Sequence, residues 1–318
     1  MCTAVVYKNR YFGRNLDYEC SFGEEVVLTE RDFLFVFPEQ KIMRKHHAIL
    51  GMAHVAEGYP LYYDGMNEKG VAMAGLLFTG NAVYNAPVEG KDNIPSWALI
   101  PWVLGQCDSA AEAKELLKNL NITDEAFSEE FPPSPLHWMI TDGKYTLTVE
   151  QTAEGLQVYE NAVGVLTNNP PFPFHLENLT QYLHLSSDAP KRHFLQELVP
   201  FSRGMGAVGL PGDWSSASRF VRAAFIVQNA ILEKADNFMQ FFHILSSAEV
   251  PKGCVQLEDG CCVYTIYSSC CDLKRGIYYY KIYDENLVTK GAIFPENLNG
   301  TGLQRLQIMQ NANPSHAK

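Results

Sequence analysis

Cysteine stands at position 2, directly behind the initiator methionine, in the opening run Met1-Cys2-Thr3-Ala4-Val5-Val6. Initiator Met is usually removed when the next side chain is small, so the mature chain is expected to begin with Cys2. That residue would then carry both a thiol and a free α-amine. A thiol titrates near about 8.5 and an α-amine near about 7.7–8.0, so at neutral pH part of the amine can take the thiol proton directly or through a water. Nucleophile and base then share one residue.

The residues that follow supply partners. Thr3 to Tyr7 is β-branched and aromatic and reads as a strand, Lys8-Asn9-Arg10 as a turn, and Tyr11 to Tyr18 as the returning strand of a hairpin. The return brings Arg14 and Asp17 back beside the terminus. An arginine beside a thiol favours the thiolate, and a carboxylate can hold an α-amine by a charge-assisted hydrogen bond. The competing reading is a surface hairpin with solvated charges.

Composition narrows the function. The 318 residues are 47% hydrophobic and 19% charged, enough for a sizeable core. A net charge of −11 argues against a nucleic-acid partner, which needs a basic face. No stretch approaches the roughly 18–20 apolar residues of a membrane span, and no basic segment leads into an apolar run at the N-terminus, so a cytoplasmic protein is expected. The eight cysteines are expected to stay reduced. Cys261-Cys262 and Cys270-Cys271 resemble a thiolate metal site, but neighbouring side chains on a strand point to opposite faces, so no metal is expected.

Further strands are expected at Glu24–Thr29, Ala48–Val55 and on both sides of the turn Asn67–Gly70, with a polar loop from Glu39 to His47. Helices are expected over Trp97–Gly105 and, behind the capping box Ser109-Ala110-Ala111-Glu112, over Ala113–Leu120. A meander of Leu136–Thr141, Tyr145–Gln151 and Leu156–Glu160 follows, then a strand Val163–Thr167. Helices at Phe174–Leu183, Phe220–Ala235 and Asn237–Ser246 precede strands Val263–Cys270 and Ile277–Tyr283. With no repeat, linker or composition break, residues 1–318 read as one α+β domain in which sheets pack between helix layers.

Two distant polar residues stand out. Asn168, at a strand end before Pro170 and Pro171, is a candidate amide donor, turn formation being the plainer explanation. Arg219 opens a long helix, where a cation opposes the helix dipole. None of the nine histidines sits in a His-Glu or Cys-flanking pattern, His193 and His316 included, and His137 reads as a core or half-buried strand residue. No phosphate-cradling glycine loop is present and no cofactor is expected. A non-catalytic binder of apolar ligands stays open on these grounds.

The chain resembles the choloylglycine hydrolases, which comprise conjugated bile salt hydrolases and penicillin V acylases, and it is more similar to the first branch. The likeness rests on Met1-Cys2-Thr3-Ala4, Phe12-Gly13-Arg14-Asn15-Leu16-Asp17, Tyr63-Asp64-Gly65-Met66-Asn67-Glu68-Lys69-Gly70, Gly164-Val165-Leu166-Thr167-Asn168-Asn169-Pro170, Ser218-Arg219-Phe220 and Gly276-Ile277-Tyr278-Tyr279-Tyr280. It implies the four-layer αββα sandwich of the N-terminal nucleophile hydrolases and a homotetramer. It also implies Cys2 as nucleophile, Arg14, Asp17 and Arg219 holding and polarising it, and Asn168 donating to the oxyanion.

At position 77, where bile salt hydrolases usually carry Asn and penicillin acylases Tyr, this chain has Leu77. The resemblance implies that the backbone N–H of Leu77 helps form the oxyanion hole, and a backbone donor survives a side-chain change. A steroid pocket is implied at Leu16, Phe22, Ala56, Tyr63, Phe127, Phe131 and Leu136. The expected substrates are glycine- and taurine-conjugated bile acids.

Overall fold

The computed structural model describes residues 1–38, 41–191, 197–232, 237–284 and 288–306. Glu39, His193, His316 and 233–235 lie outside them; the long helix expected to reach Ala235 ends at Asn229, where Ala230 turns extended. Among the described residues, two antiparallel sheets dominate. One runs in the order Val165–Leu166, Cys2–Tyr7, Tyr11–Tyr18, Cys262–Asp272, Ile277–Ile282 and Thr289–Ile293, with Val255–Gln256 paired onto Cys262–Asp272. The other runs Gly155–Glu160, Thr146–Thr152, Leu136–Thr141, Ala72–Leu77, Tyr59–Asn67, Ile49–Ala56, Glu25–Thr29 and Leu303–Leu306.

Both sheets are covered on both faces, and the period-2 geometry of strands explains how. Successive side chains alternate sides. In the second sheet Val26, Leu28, Leu50, Met52, Met66, Ala72, Ala74 and Met139 join one buried cluster with Ala4, Val6 and Phe12 of the facing sheet. Their neighbours Val27, Ile49, Met73, Trp138 and Ile140 join another with Leu99, Ile100, Val103 and Leu104. These last belong to helix Leu99–Leu104, which covers the outer face with helix Ala110–Leu116. Helices Ser216–Asn229 and Met239–Ser246 cover the outer face of the first sheet, burying Phe220, Ala223, Phe241 and Leu245. The chain is α+β, and its layers run helix, sheet, sheet, helix: an αββα sandwich.

Several boundaries shift for local reasons. Ser109 accepts from the Glu112 N–H, so the capped helix begins at Ala110 rather than Ala113. It ends at Leu116 because Leu120–Thr123 pairs in parallel with Asp92–Pro95, a pair too short and mixed in composition to read as strands. The long helix starts at Ser216, four residues before Phe220, because Ser215 caps it by accepting from the Ser218 N–H. Val163–Thr167 contracts to Val165–Leu166. The turn at Asn67 forms as expected: Asn67 Oδ1 accepts from the N–H groups of Lys69 and Val71, and Gly70 supplies a φ of +86°.

Candidate active site

The first hairpin carries most of the candidate chemistry. Cys2 lies opposite Leu16 in the ladder, and Ala4 opposite Arg14, so Cys2, Arg14 and Leu16 share the face turned towards the second sheet. Arg14 Nη2 donates to Cys2 Sγ at 2.5 Å. Its Nη1 crosses to the other sheet and donates to the carbonyls of Gly75 and Tyr63. Cys2 is 3% exposed and Arg14 1%. Burial works against the Arg14 charge, but the Cys2 sulfur, Tyr267, Asp64 and Asp17 outweigh it and hold the guanidinium's pKa above its ordinary value.

Asp17 points the other way, towards the helices. Its Oδ1 accepts from Thr265 Oγ1 at 2.6 Å, Arg219 Nη1 stands 4.0 Å from Oδ2, and Oδ2 is buried with no hydrogen-bond partner. Burial pushes the Asp17 carboxyl up, opposed by Arg219, the N-terminal ammonium, Thr265 and Arg14. With Met1 attached, the ammonium donates to the Asp17 carbonyl at 2.6 Å and the Asp17 N–H donates to the Met1 carbonyl at 3.0 Å.

Asn168 joins the hairpin to the rest. The ladder pairs Ala4 with Leu166 and Val5 with Val165, which brings the next residues of that segment alongside Cys2. Asn168 Oδ1 accepts from the Cys2 N–H at 2.8 Å and from Arg219 Nη2 at 2.7 Å. Its Nδ2 donates to the Leu77 carbonyl at 2.7 Å, which leaves the second hydrogen of that nitrogen for another acceptor. Arg219 is fully buried; Nη1 donates to Cys2 O and to Thr3 Oγ1 at 2.6 Å, and Nε to Trp214 O at 2.9 Å. Its unfavourable place near a helix N-terminus thus serves contacts outside the helix. Burial lowers its pKa, with Asp17 and Cys2 opposing.

Leu77 ends the strand that faces the sulfur. The Phe78 N–H donates to Pro135 O at 2.8 Å, so by alternation the Leu77 N–H and C=O turn to the opposite edge, where pairing with strand Tyr59–Asn67 has ended at Asp64 and Ala74. On that edge the carbonyl takes the Asn168 amide, and the N–H points the same way.

The expected apolar residues fall on three features, Leu16 and Tyr63 with the cluster between the sheets and Leu136 with the cluster under the outer helices. Leu16 is buried opposite Cys2, and the half-exposed Phe22 packs on Tyr18 with centroids 5.3 Å apart. Tyr63 lends its carbonyl to Arg14, while Ala56 is buried at the end of its strand opposite Tyr59. Phe127 packs on Tyr59 and Trp97, Phe131 on His54 at 5.2 Å, and Leu136 pairs with Leu77.

Residues 2–305 match the linear amide C–N hydrolases of the choloylglycine hydrolase family. The chain belongs to this family. It is 47% identical over 309 residues to a bile salt hydrolase/transferase of Lactiplantibacillus plantarum, with 95% of each chain covered. It is 39% identical over 328 residues to one of Clostridium perfringens, with 99% of each covered. Among solved structures, the mutant C2A conjugated bile acid hydrolase from Clostridium perfringens superposes with a TM-score of 0.90 at 39% identity over 96% of both chains. A penicillin V acylase from Agrobacterium tumefaciens, 20% identical, shares the fold at a TM-score of 0.72 over 90% of this chain and 84% of that one.

His137, expected in the core or half-buried, is fully buried. Two contacts of this choloylglycine-family hydrolase are not legible in its sequence: His137 pairs with Glu150, and His175 reaches the Asn168 carbonyl. A charged Glu150 in the middle of an otherwise uncharged strand is the available hint. Among the described residues, no group of three or more His, Cys, Asp or Glu side chains could hold a metal. All eight cysteines are free; Cys270 and Cys271 are buried in their strand. No helix among the described residues is long and apolar enough to cross a membrane.

Proposed function

We propose that the chain hydrolyses the amide bond between a bile acid and glycine or taurine, with Cys2 as nucleophile after Met1 is removed, residues 1–318 acting as one hydrolase domain. The observation that carries this reading is the meeting of Arg14 at the Cys2 sulfur and Asn168 at the Cys2 N–H in one buried place, in a chain related end to end to named bile salt hydrolases.

Loss of Met1 frees the Cys2 amine and leaves the uncommitted Asp17 Oδ2 as its partner. The amine takes the thiol proton, and Arg14 stabilises the thiolate. Attack on the amide carbon forms the C–S bond and moves charge to the carbonyl oxygen, which accepts from the Leu77 N–H and the second Asn168 N–H. Collapse breaks the C–N bond; the Cys2 ammonium returns its proton to the departing glycine or taurine nitrogen, leaving a thioester. Water, deprotonated by the amine, then cleaves the C–S bond and releases the bile acid. An amine in place of water gives acyl transfer.

The apolar set of Leu16, Phe22, Ala56, Tyr63, Phe127, Phe131 and Leu136 suits a rigid steroid body, whose burial supplies affinity while a few polar groups fix the amide. Assembly into a homotetramer is proposed from the likeness to the family alone. The eight free cysteines support a cytoplasmic enzyme.

The reading is tested by glycine and taurine release from glycocholate and taurocholate. Cys2-dependent release supports it; penicillin V cleavage without such release would move the enzyme to the acylase branch.

A further inference from the structure

We propose that His137, Glu150 and His175 form a positioning device that fixes Asn168 against Leu77 and Arg219; the proposal rests on the reading of Cys2 as an amide-cleaving nucleophile. Asn168 sits on a segment with little regular structure of its own. The strand before it is only Val165–Leu166, and Pro170 and Pro171 carry no N–H to donate.

The buried pair grips that segment at both ends. His137 Nε2 faces the Thr167 carbonyl at 2.9 Å and His137 Nδ1 faces Glu150 Oε1 at 3.0 Å. Glu150 accepts from the Phe172 N–H at 3.0 and 3.2 Å. Both ring nitrogens meet oxygens of a carbonyl and a carboxylate, so the pair needs a proton on each side of the ring or one on the carboxyl between them. Neither residue is exposed, neither touches Cys2, and apolar side chains would fill such a place at lower cost. The bonds made to the backbone give the pair its use.

His137 also ties the segment to the opposite oxyanion donor. It stands opposite Leu76 in the ladder, and its ring stacks on Phe78 with centroids 4.3 Å apart and planes 6° apart. Leu77 lies between those two contacts. His175 Nε2 donates to the Asn168 carbonyl at 3.0 Å and stacks on Phe220, the neighbour of Arg219, at 4.6 Å. One ring thus references Asn168 to Leu77, the other to Arg219.

The test is a double-mutant cycle on glycocholate turnover with Glu150→Ala, Glu150→Gln and Asn168→Ala, read beside hydrogen exchange. Misplacement by about 1 Å costs on the order of 10²-fold, so Glu150→Ala is expected to lower kcat by that factor with KM near wild type. Glu150→Gln keeps an acceptor for Phe172 and a donor for a neutral His137, so it retains most of the turnover. In an Asn168→Ala background, Glu150→Ala adds no further loss. Additive losses, or equal damage from Gln and Ala, overturn the proposal.

Hydrogen exchange reads the clamp independently of turnover. Glu150→Ala should speed exchange across 167–172 and leave strand Leu136–Thr141 protected. Unchanged exchange in 167–172, or an equal rise in that strand, overturns the positioning role. A wild type inactive on bile conjugates overturns the proposed function instead, and the exchange result still decides the clamp.

Discussion

Arg14 Nη2 and Cys2 Sγ lie 2.5 Å apart on adjacent antiparallel strands, and the same guanidinium holds two carbonyls of the opposite sheet. The sulfur's charge partner is therefore locked by both halves of the sandwich. A side chain spanning four acceptors, the Asn15 carbonyl included, needs a planar fork of donors.

Arg14→Lys keeps a charge but loses the fork. It is expected to lower both kcat and the rate of Cys2 alkylation by iodoacetamide, kcat by on the order of 10²-fold. Alkylation at the wild-type rate would show that Arg14 does not act on the sulfur.

Arg219→Ala strips donors from Cys2 O, Thr3 Oγ1 and Asn168 Oδ1 at once, and leaves the buried Asp17 with less positive charge beside it. Removing one member of such a buried charged network costs about 3–5 kcal/mol, to be read as a drop in urea-unfolding free energy. A change below about 1 kcal/mol would mean that the network is slack.

At Leu77 the proposed oxyanion donor is the backbone N–H, so the side chain and the N–H can be separated. Leu77→Asn should change kcat little. Leu77→Pro deletes the N–H at an edge where no strand partner needs it, and removal of one oxyanion donor costs about 10²–10³-fold in kcat. Equal kcat for Leu77→Pro and wild type would remove Leu77 from the reaction.

His175 gives a pH dependence of definite sign. Burial lowers its pKa, with the Asn168 carbonyl and Glu150 opposing and His137 adding to the lowering. The unfolded chain binds the proton first, near the ordinary value of about 6.5, so its contribution is full above that pH and is lost as pH falls through the lower folded value. The gap in unfolding free energy between wild type and His175→Gln should narrow from pH 7.5 towards pH 5.5. A gap independent of pH would contradict this.

The hairpin is legible in the sequence because alternating apolar residues, a polar turn and the pair Arg14 and Asp17 all lie within one local stretch. Strand pairing then places Arg14 with the sulfur and Asp17 on the reverse face, a division set by period 2. Asn168 and Arg219 can be assigned only through likeness to a family, because nothing local joins residues so far apart in the chain to Cys2. Arg219 looks like a poorly placed first-turn cation; its acceptors lie on other elements. His137 is read from the sequence as a core or half-buried residue and is fully buried; its pairing with Glu150 and its bond to Thr167 stay hidden because the partners lie on other elements. The parallel pair of Asp92–Pro95 and Leu120–Thr123 leaves no trace, for want of any run long enough to show a period.

The decisive experiment is release of free glycine and taurine from glycocholate and taurocholate by the purified protein, its intact mass first showing that Met1 is gone, beside a Cys2→Ser control and penicillin V. Release that disappears with Cys2→Ser is the expected outcome. Release that persists in Cys2→Ser, or cleavage of penicillin V with none of either conjugate, would contradict a Cys2-driven bile salt hydrolase.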